Sequence, residues 1–233
     1  MSETGCAISS PLIYFVIPAF NEADSVARVV EQVRCQYPHV VVVDDGSGDD
    51  TAVAAAKAGA LVLRHLVNRG QGAALKTGID YALARGATAI VTFDSDGQHR
   101  VEDVAPLLKP VLDGRCDVAL GSRFLNGDSK VPWARKLTLK LGVLFTRIVS
   151  GIRVTDTHNG LRALSRHAAE QLQFRQDRMA HASEILDEIA RRKLRFTEVP
   201  VRILYTDYSR QKGQKSSAAL RIVWDFLIGK SSG

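Results

Sequence analysis

Apolar residues in the first half of this chain come in short runs, and the residues between them recur at helical spacing. Leu12-Ile13-Tyr14-Phe15-Val16-Ile17, Val40-Val41-Val42-Val43, Leu61-Val62-Leu63, Ile90-Val91-Thr92-Phe93 and Asp117-Val118-Ala119-Leu120-Gly121 are the runs. Short apolar segments bounded by turn residues predict buried strands of a parallel sheet. After the first strand, Val26, Val29, Val30 and Val33 fall on one helical face. A second helix runs through Lys57, capped by Asp49 or Asp50, and a third ends near Arg85-Gly86. Val104, Leu107, Leu108, Val111 and Leu112 mark a fourth, whose limits Pro106 and Pro110 obscure. Strands alternating with helices predict an α/β fold with a mostly parallel central sheet and helices on both faces.

The second half has a different pattern. Leu137, Leu141, Leu144, Phe145, Ile148 and Val149 recur at helical spacing among Lys130, Arg135, Lys136, Lys140, Arg147 and Arg153, with no acid from Ser129 to Thr155. A basic amphipathic helix suits a membrane surface or an acidic amphiphile, and equally a sheet edge with solvated lysines. A polar stretch, Asp156 to Arg162, follows. Then come a helix from His181 to Arg191 with Ile185, Leu186 and Ile189 inward, and an alternating strand from Phe196 to Tyr205. The basic loop Tyr208–Ser217 reads as a lid or a linker, and Leu220–Ile228 as a last helix.

Charge sharpens this division. The net charge of +6 splits into −5 over residues 1–128 and +11 over residues 129–233. The basic half predicts an anionic partner: lipid headgroups, nucleic acid or a phosphorylated substrate. Three scattered cysteines (Cys6, Cys35, Cys116) lack metal spacing and predict reduced thiols in a cytosolic setting. Residues 1–10 have no signal-peptide pattern, and no window is apolar for the length of a bilayer crossing.

The chemistry collects where the predicted strands end. Asp94-Ser95-Asp96-Gly97-Gln98 closes the fourth run, at the end of a strand where open α/β sheets place ligands. Asp94 and Asp96 can give oxygens to a divalent cation, with the Gln98 carbonyl as a third, and such ions favour few carboxylates plus phosphate oxygens. Asp-x-Asp-Gly can also simply open a turn. Asp44 and Asp45 end the second strand, where carboxylates receive hydrogen bonds from a nucleoside. Asn21 and Glu22 follow the first and can cap the next helix. Asn68-Arg69-Gly70-Gln71-Gly72 precedes the third helix and allows backbone approach to a phosphate, although neither common nucleotide fingerprint is complete.

Taken in order, Val16-Ile17-Pro18-Ala19-Phe20-Asn21-Glu22, Val43-Asp44-Asp45-Gly46-Ser47, Asn68-x-Gly70-x-Gly72, Asp94-Ser95-Asp96-Gly97-Gln98, Gly121-Ser122-Arg123 and Asp156-Thr157-His158-Asn159-Gly160-Leu161-Arg162 resemble family 2 glycosyltransferases of the polyprenol-phosphate (dolichol-phosphate) mannosyltransferase-like branch. The resemblance spans roughly Leu12 to Tyr205. It implies a GT-A (Rossmann-like) fold, a nucleotide-diphosphate sugar donor, a Mg or Mn ion and inverting transfer. Residues 1–210 would form one domain, with 1–128 as the nucleotide-sugar half and 129–210 as the acceptor half. Residues 211–233 would be a basic loop and helix without a transmembrane segment. By motif, Pro18, Ala19, Asn21, Glu22, Asp44, Asp45, Lys76, Asp94, Ser95 and Asp96 look like the nucleotide-sugar pocket, and Asp94, Asp96 and Gln98 like its metal site. Arg123, Arg135, Arg162, Lys212 and Lys215 look like phosphate-recognising groups.

The implied acceptor is a polyprenyl phosphate, already an anionic nucleophile. A sugar or other hydroxyl would need a base, for which Glu184 is the candidate, unless it pairs with Arg191 or Lys193. Asp96, Arg123 and Glu184 are thus the expected catalytic set. The implied location is cytoplasmic and peripheral at the membrane face, with an anionic membrane surface or a membrane protein as partner and no nucleic acid. Competing expectations are a glycan or other hydroxyl acceptor, or a catalytically silent nucleotide-sugar binder. A sugar nucleotidyltransferase is disfavoured, since no glycine-rich, Lys/Arg-bearing signature lies between Leu12 and Ser25.

Overall fold

A computed structural model describes residues 10–125, 152–172 and 181–204. Seven strands form one sheet in the order β3-β2-β1-β4-β6-β5-β7. They are β1 (Ile13–Ala19), β2 (His39–Asp44), β3 (Leu61–Arg64), β4 (Ala89–Thr92), β5 (Val118–Ser122), β6 (Arg162–Ser165) and β7 (Phe196–Pro200). All pairings are parallel except those of β6, which runs against both β4 and β5. The helices are α1 (Ala23–Arg34), α2 (Thr51–Lys57), α3 (Gln71–Ala84), α4 (Val104–Leu112), α5 (Arg166–Gln171) and α6 (His181–Arg191).

Alternation along the strands sends side chains to two apolar layers. Phe15 and Ile17 of β1 join Val26, Val29, Val30 and Val33 of α1 and Leu107, Leu108 and Val111 of α4 on one face. Val16 points the other way, into a layer with Leu75 and Ile79 of α3, Ala168 of α5, and Ile185, Leu186 and Ile189 of α6. Each such buried aliphatic side chain contributes about 1.5–3 kcal/mol, so a charge at Val30 would break the α1 packing. Pro106 sits in the first turn of α4, where an amide hydrogen has no intrahelical acceptor, and Pro110 lies inside the helix.

Two elements were not foreseen from the pattern. β6 occupies the end of the expected polar stretch and is only four residues long, with Arg162 as its first residue. α5 follows at once, its N-terminus capped by Ser165 Oγ accepting from Ala168 N at 3.1 Å. The last strand is also shorter than the alternation from Phe196 to Tyr205 predicts. Val201 N still donates to the Ser122 carbonyl of β5 (3.0 Å), and beyond it the chain turns to other partners: Arg202 N donates to Asp103 Oδ2 (2.8 Å) and Leu204 N to the Gln98 carbonyl (2.9 Å). The expected helix around Leu137–Val149, the basic loop Tyr208–Ser217 and the helix Leu220–Ile228 lie outside the described residues, as do Arg135, Lys212 and Lys215. Among the described residues, no helix is long and apolar enough to cross a membrane.

Candidate active site

The carboxyl ends of β1, β2, β4 and β5 share one rim, and because β6 runs backwards its first residue shares it too. Arg162 pairs with Thr92 on one side and Leu120 on the other. It therefore stands two residues short of Asp94, across the strand boundary. A cavity of about 410 Å³ opens at this rim, lined by residues that include Pro18, Ala19, Glu22, Asp45, Asn68, Gly70, Gln71, Asp94, Ser95, Asp96, His158, Gly160 and Arg162.

Asp94 is held from three directions. His99 Nε2 lies 2.8 Å from Oδ2, and Gln71 Nε2, at the start of α3, donates to Oδ1 at 3.3 Å. Gly160 fills the third side, where a Cβ would collide with both carboxylate oxygens. Its carbonyl accepts from Thr92 Oγ1 at 2.6 Å, tying the loop before β6 to the end of β4. Asp96 is held within its own turn: its Oδ1 accepts Gln98 N at 3.0 Å and its Oδ2 accepts the Gln98 side-chain amide. Burial, and then the charge of Asp94, push the Asp96 pKa above the ordinary carboxylate value. Two acids whose charges oppose each other over a solvent-reached cavity fit a divalent cation, which would relieve the repulsion. The main-chain carbonyl of Gln98, the third donor expected from the motif, accepts from Leu204 N with one of its two lone pairs.

Opposite these acids, Arg162 is 3 % exposed and makes no salt bridge among the described residues. Burial lowers its pKa, and the charges of Asp94 and Asp156 act against that. A desolvated guanidinium at a cavity wall is suited to a phosphate oxygen.

The donor-side expectations divide. Asp45 lines the cavity while shaping it: its Oδ1 meets His65 Nδ1 (2.6 Å) and Arg69 N (3.0 Å), and its Oδ2 accepts Gly70 N (2.6 Å). His65 Nε2 in turn lies 2.9 Å from Thr77 Oγ1 of α3. Gly70, at φ +99°, then turns the chain into α3. Asp44 is fully buried away from the cavity lining, where its Oδ1 accepts Ser47 N (3.0 Å) and its Oδ2 lies 3.1 Å from Arg64 Nε. Asn21 clips two loops together, accepting from Gly48 N and donating its own N–H to Ser47 Oγ, each at 3.0 Å. Glu22 lines the cavity and accepts from Ser25 Oγ at 2.6 Å, as the residue before α1 but without a side-chain cap. Lys76 pairs with Asp80 one turn along α3 and is not a lining residue.

Two of the three expected catalytic residues are not at the cavity. Arg123 is buried, and its Nε donates to Asp156 Oδ2 at 2.6 Å, a bond that anchors the loop leading to β6. Glu184 is half-buried on α6 and outside the lining. Conversely, nothing in the residue pattern singles out His99, Gln71 or Gly160, and His158, whose Nδ1 lies 2.7 Å from Thr157 Oγ1, also lines the cavity. Each of these residues lies within a few positions of a strand end or helix start, which was the available signal.

The family model described as Glycosyl transferase family 2 matches residues 14–173. A UDP-N-acetylglucosamine–dolichyl-phosphate N-acetylglucosaminyltransferase of Methanococcus voltae is 32% identical over 246 residues, 96% of this chain and 98% of that one. A polyprenol monophosphomannose synthase of Mycolicibacterium smegmatis is 35% identical over 170 residues, 67% of this chain and 63% of its own. Among solved structures, glucosyl-3-phosphoglycerate synthase of Mycobacterium tuberculosis in complex with Mn2+ and UDP-glucose superposes with a TM-score of 0.68, at 22% identity, covering 94% of this chain and 79% of the other. That last likeness concerns the fold, which it identifies as GT-A. With one relative alike over nearly its whole length and the family model spanning most of the chain, this protein is a glycosyltransferase of family 2.

Proposed function

We propose that this enzyme transfers a sugar, with inversion, from a nucleotide-diphosphate donor to a polyprenyl phosphate. The observation that carries the reading is the meeting of Asp94, Asp96 and the buried Arg162 on one cavity. The names of the relatives from Methanococcus voltae and Mycolicibacterium smegmatis favour a lipid-phosphate acceptor. Asp94 and Asp96 would hold a Mg or Mn ion, which when bound supplies charge to offset that of the departing diphosphate. Pro18, Ala19, Glu22 and Asp45 would border the nucleoside, and Asn68, Gly70 and Gln71 would approach the diphosphate through the start of α3. Arg162 would bind a phosphate oxygen in a site shielded from water, where its charge is little screened.

In the reaction, an acceptor phosphate oxygen forms a bond to the anomeric carbon while the bond to the β-phosphate oxygen breaks on the opposite face. The leaving nucleoside diphosphate keeps the electron pair. No proton need be removed from an ionised phosphate, in keeping with a cavity lining that does not include Glu184. Residues 129–233, with their charge of +11, would bring the enzyme to the anionic cytoplasmic face of a membrane.

The test is sugar transfer from UDP- and GDP-linked donors to polyprenyl phosphate or to free sugars, in Mn2+ and in chelator. Metal-dependent transfer to the lipid phosphate is expected, with Asp96→Asn lowering kcat/KM by roughly 10²–10³-fold. Transfer only to hydroxyl acceptors, or full activity in Asp96→Asn, would overturn the reading.

A further inference from the structure

His99 is a buried histidine with one job visible in the structure. Its residue is 5 % exposed, its Nε2 lies 2.8 Å from Asp94 Oδ2, and its Nδ1 is buried without a hydrogen-bond partner. The ring packs edge-on against Phe93 at 5.3 Å between centroids. Its backbone is bridged to Ile203, so neither ring nor main chain is free to turn away. An orphaned Nδ1 favours the tautomer that keeps its proton on Nε2, because a buried lone pair without a donor costs less than a buried N–H without an acceptor. His99 therefore donates one directed hydrogen bond, and Asp94 receives it.

We propose that His99 is the positioning residue of Asp94. This inference rests on the metal-binding reading above. A carboxylate on a single χ2 torsion rotates easily. The His99 bond fixes Oδ2, Gln71 bonds Oδ1 and Gly160 leaves no room for a side chain against either oxygen, so the carboxylate of this cavity-lining residue is oriented before any cation arrives. Outer groups that orient a metal-binding side chain typically change metal affinity 10–100-fold when removed. Asp96, by contrast, is oriented by Gln98 from its own turn and does not touch His99 among the bonds described. Phe93 and Ile203 give His99 a packing role as well, and the test must separate the two.

Gln and Met have side chains of nearly the same length and shape, but only Gln can place an N–H where His99 Nε2 stands. His99→Gln and His99→Met are compared with wild type by titrating Mn2+ in the presence of UDP or GDP, whichever the wild type binds, and by thermal unfolding without metal. The expected result is Mn2+ affinity at least tenfold weaker in His99→Met and within about threefold of wild type in His99→Gln, with similar melting temperatures for the two variants. Equal affinity in all three proteins, or equal loss in both variants, would overturn the positioning role while leaving the metal site standing. Wild type that takes up neither nucleotide with Mn2+ would overturn the metal reading and this inference with it. Should His99→Met fail to fold, the Gln variant decides: wild-type affinity supports the bond, and a tenfold loss in a folded His99→Gln overturns it.

Discussion

Arg162, proposed above to bind a phosphate oxygen, is a residue whose burial costs the fold. A guanidinium taken out of water without a salt bridge among the described residues costs stability, and its lowered pKa reports that cost. Replacing it with Met keeps the volume of the stem and removes the buried charge. Arg162→Met is therefore expected to melt at or above the wild-type temperature while kcat/KM falls by roughly 10²-fold or more. A variant that is both less stable and fully active would show that the charge serves β6 and not a ligand. Arg123 is the opposite case. Its bond to Asp156 Oδ2 is short and buried, so Arg123→Ala should act first on stability, by about 3–5 kcal/mol, through the uncompensated Asp156 it leaves. Urea unfolding separates that loss from any change in donor affinity.

At the level of elements, the tight seam between α3 and β1 sets the distance from Gln71 to Asp94. Gly78 lies where a Cβ would collide with Val16. Ala is the better helix former by about 1 kcal/mol, yet Gly78→Ala is expected to destabilise by about 1–3 kcal/mol net, because packed layers tolerate added volume poorly. Calorimetry of the variant checks the sign. A second seam joins β5 to β7 by a hydrogen-bonded ion pair: Arg195 Nη2 to Asp117 Oδ1 at 2.9 Å and Nε to Oδ2 at 3.1 Å. The Arg195 hydrogen bond holds the Asp117 pKa below its ordinary value. The stabilisation is then complete above the unfolded carboxylate pKa of about 4 and is lost as pH falls through the lower, folded one. The melting-temperature gap between wild type and Asp117→Asn should be constant near neutrality and close in acid. A gap that widened in acid would contradict the assignment.

These elements also show what the residue pattern can and cannot convey. The four valines of β2 and the run before Asp94 announced themselves because both faces of a parallel strand are covered. β6 did not, since four residues beginning with an arginine have no periodicity to read, and its antiparallel place between β4 and β5 depends on contacts far apart in the chain. The acids of the site were legible from their position after strands. Whether an acid faces the cavity, like Asp45, or is spent holding a turn, like Asp44, depends on a one-residue alternation at the strand end. Arg123 and Arg162 likewise carry the same charge to opposite fates, set by whether a carboxylate waits within reach.

For the molecule as a whole, the division of charge between the halves gives a prediction about membranes. A face carrying an excess of lysine and arginine is attracted to anionic lipid over about 10 Å at 0.1 M salt. Neutralising Arg135, Lys136 and Lys140 together should weaken co-sedimentation with anionic vesicles at low salt and leave binding to neutral vesicles unchanged. Equal sedimentation of both proteins would assign the surface attraction to other residues. The reversed strand has a consequence of its own. Because β6 descends from the rim that β5 ascends to, the stretch joining them departs and returns beside the same cavity. Strand pairing fixes the two ends of that stretch and sets no length for the residues between them. Diversification among these enzymes would then run through one exchangeable insert, and grafting a relative's segment in place of residues 126–151, which keeps Arg123, Asp156 and Gly160 where they are, should switch acceptor preference while donor affinity stays as it was.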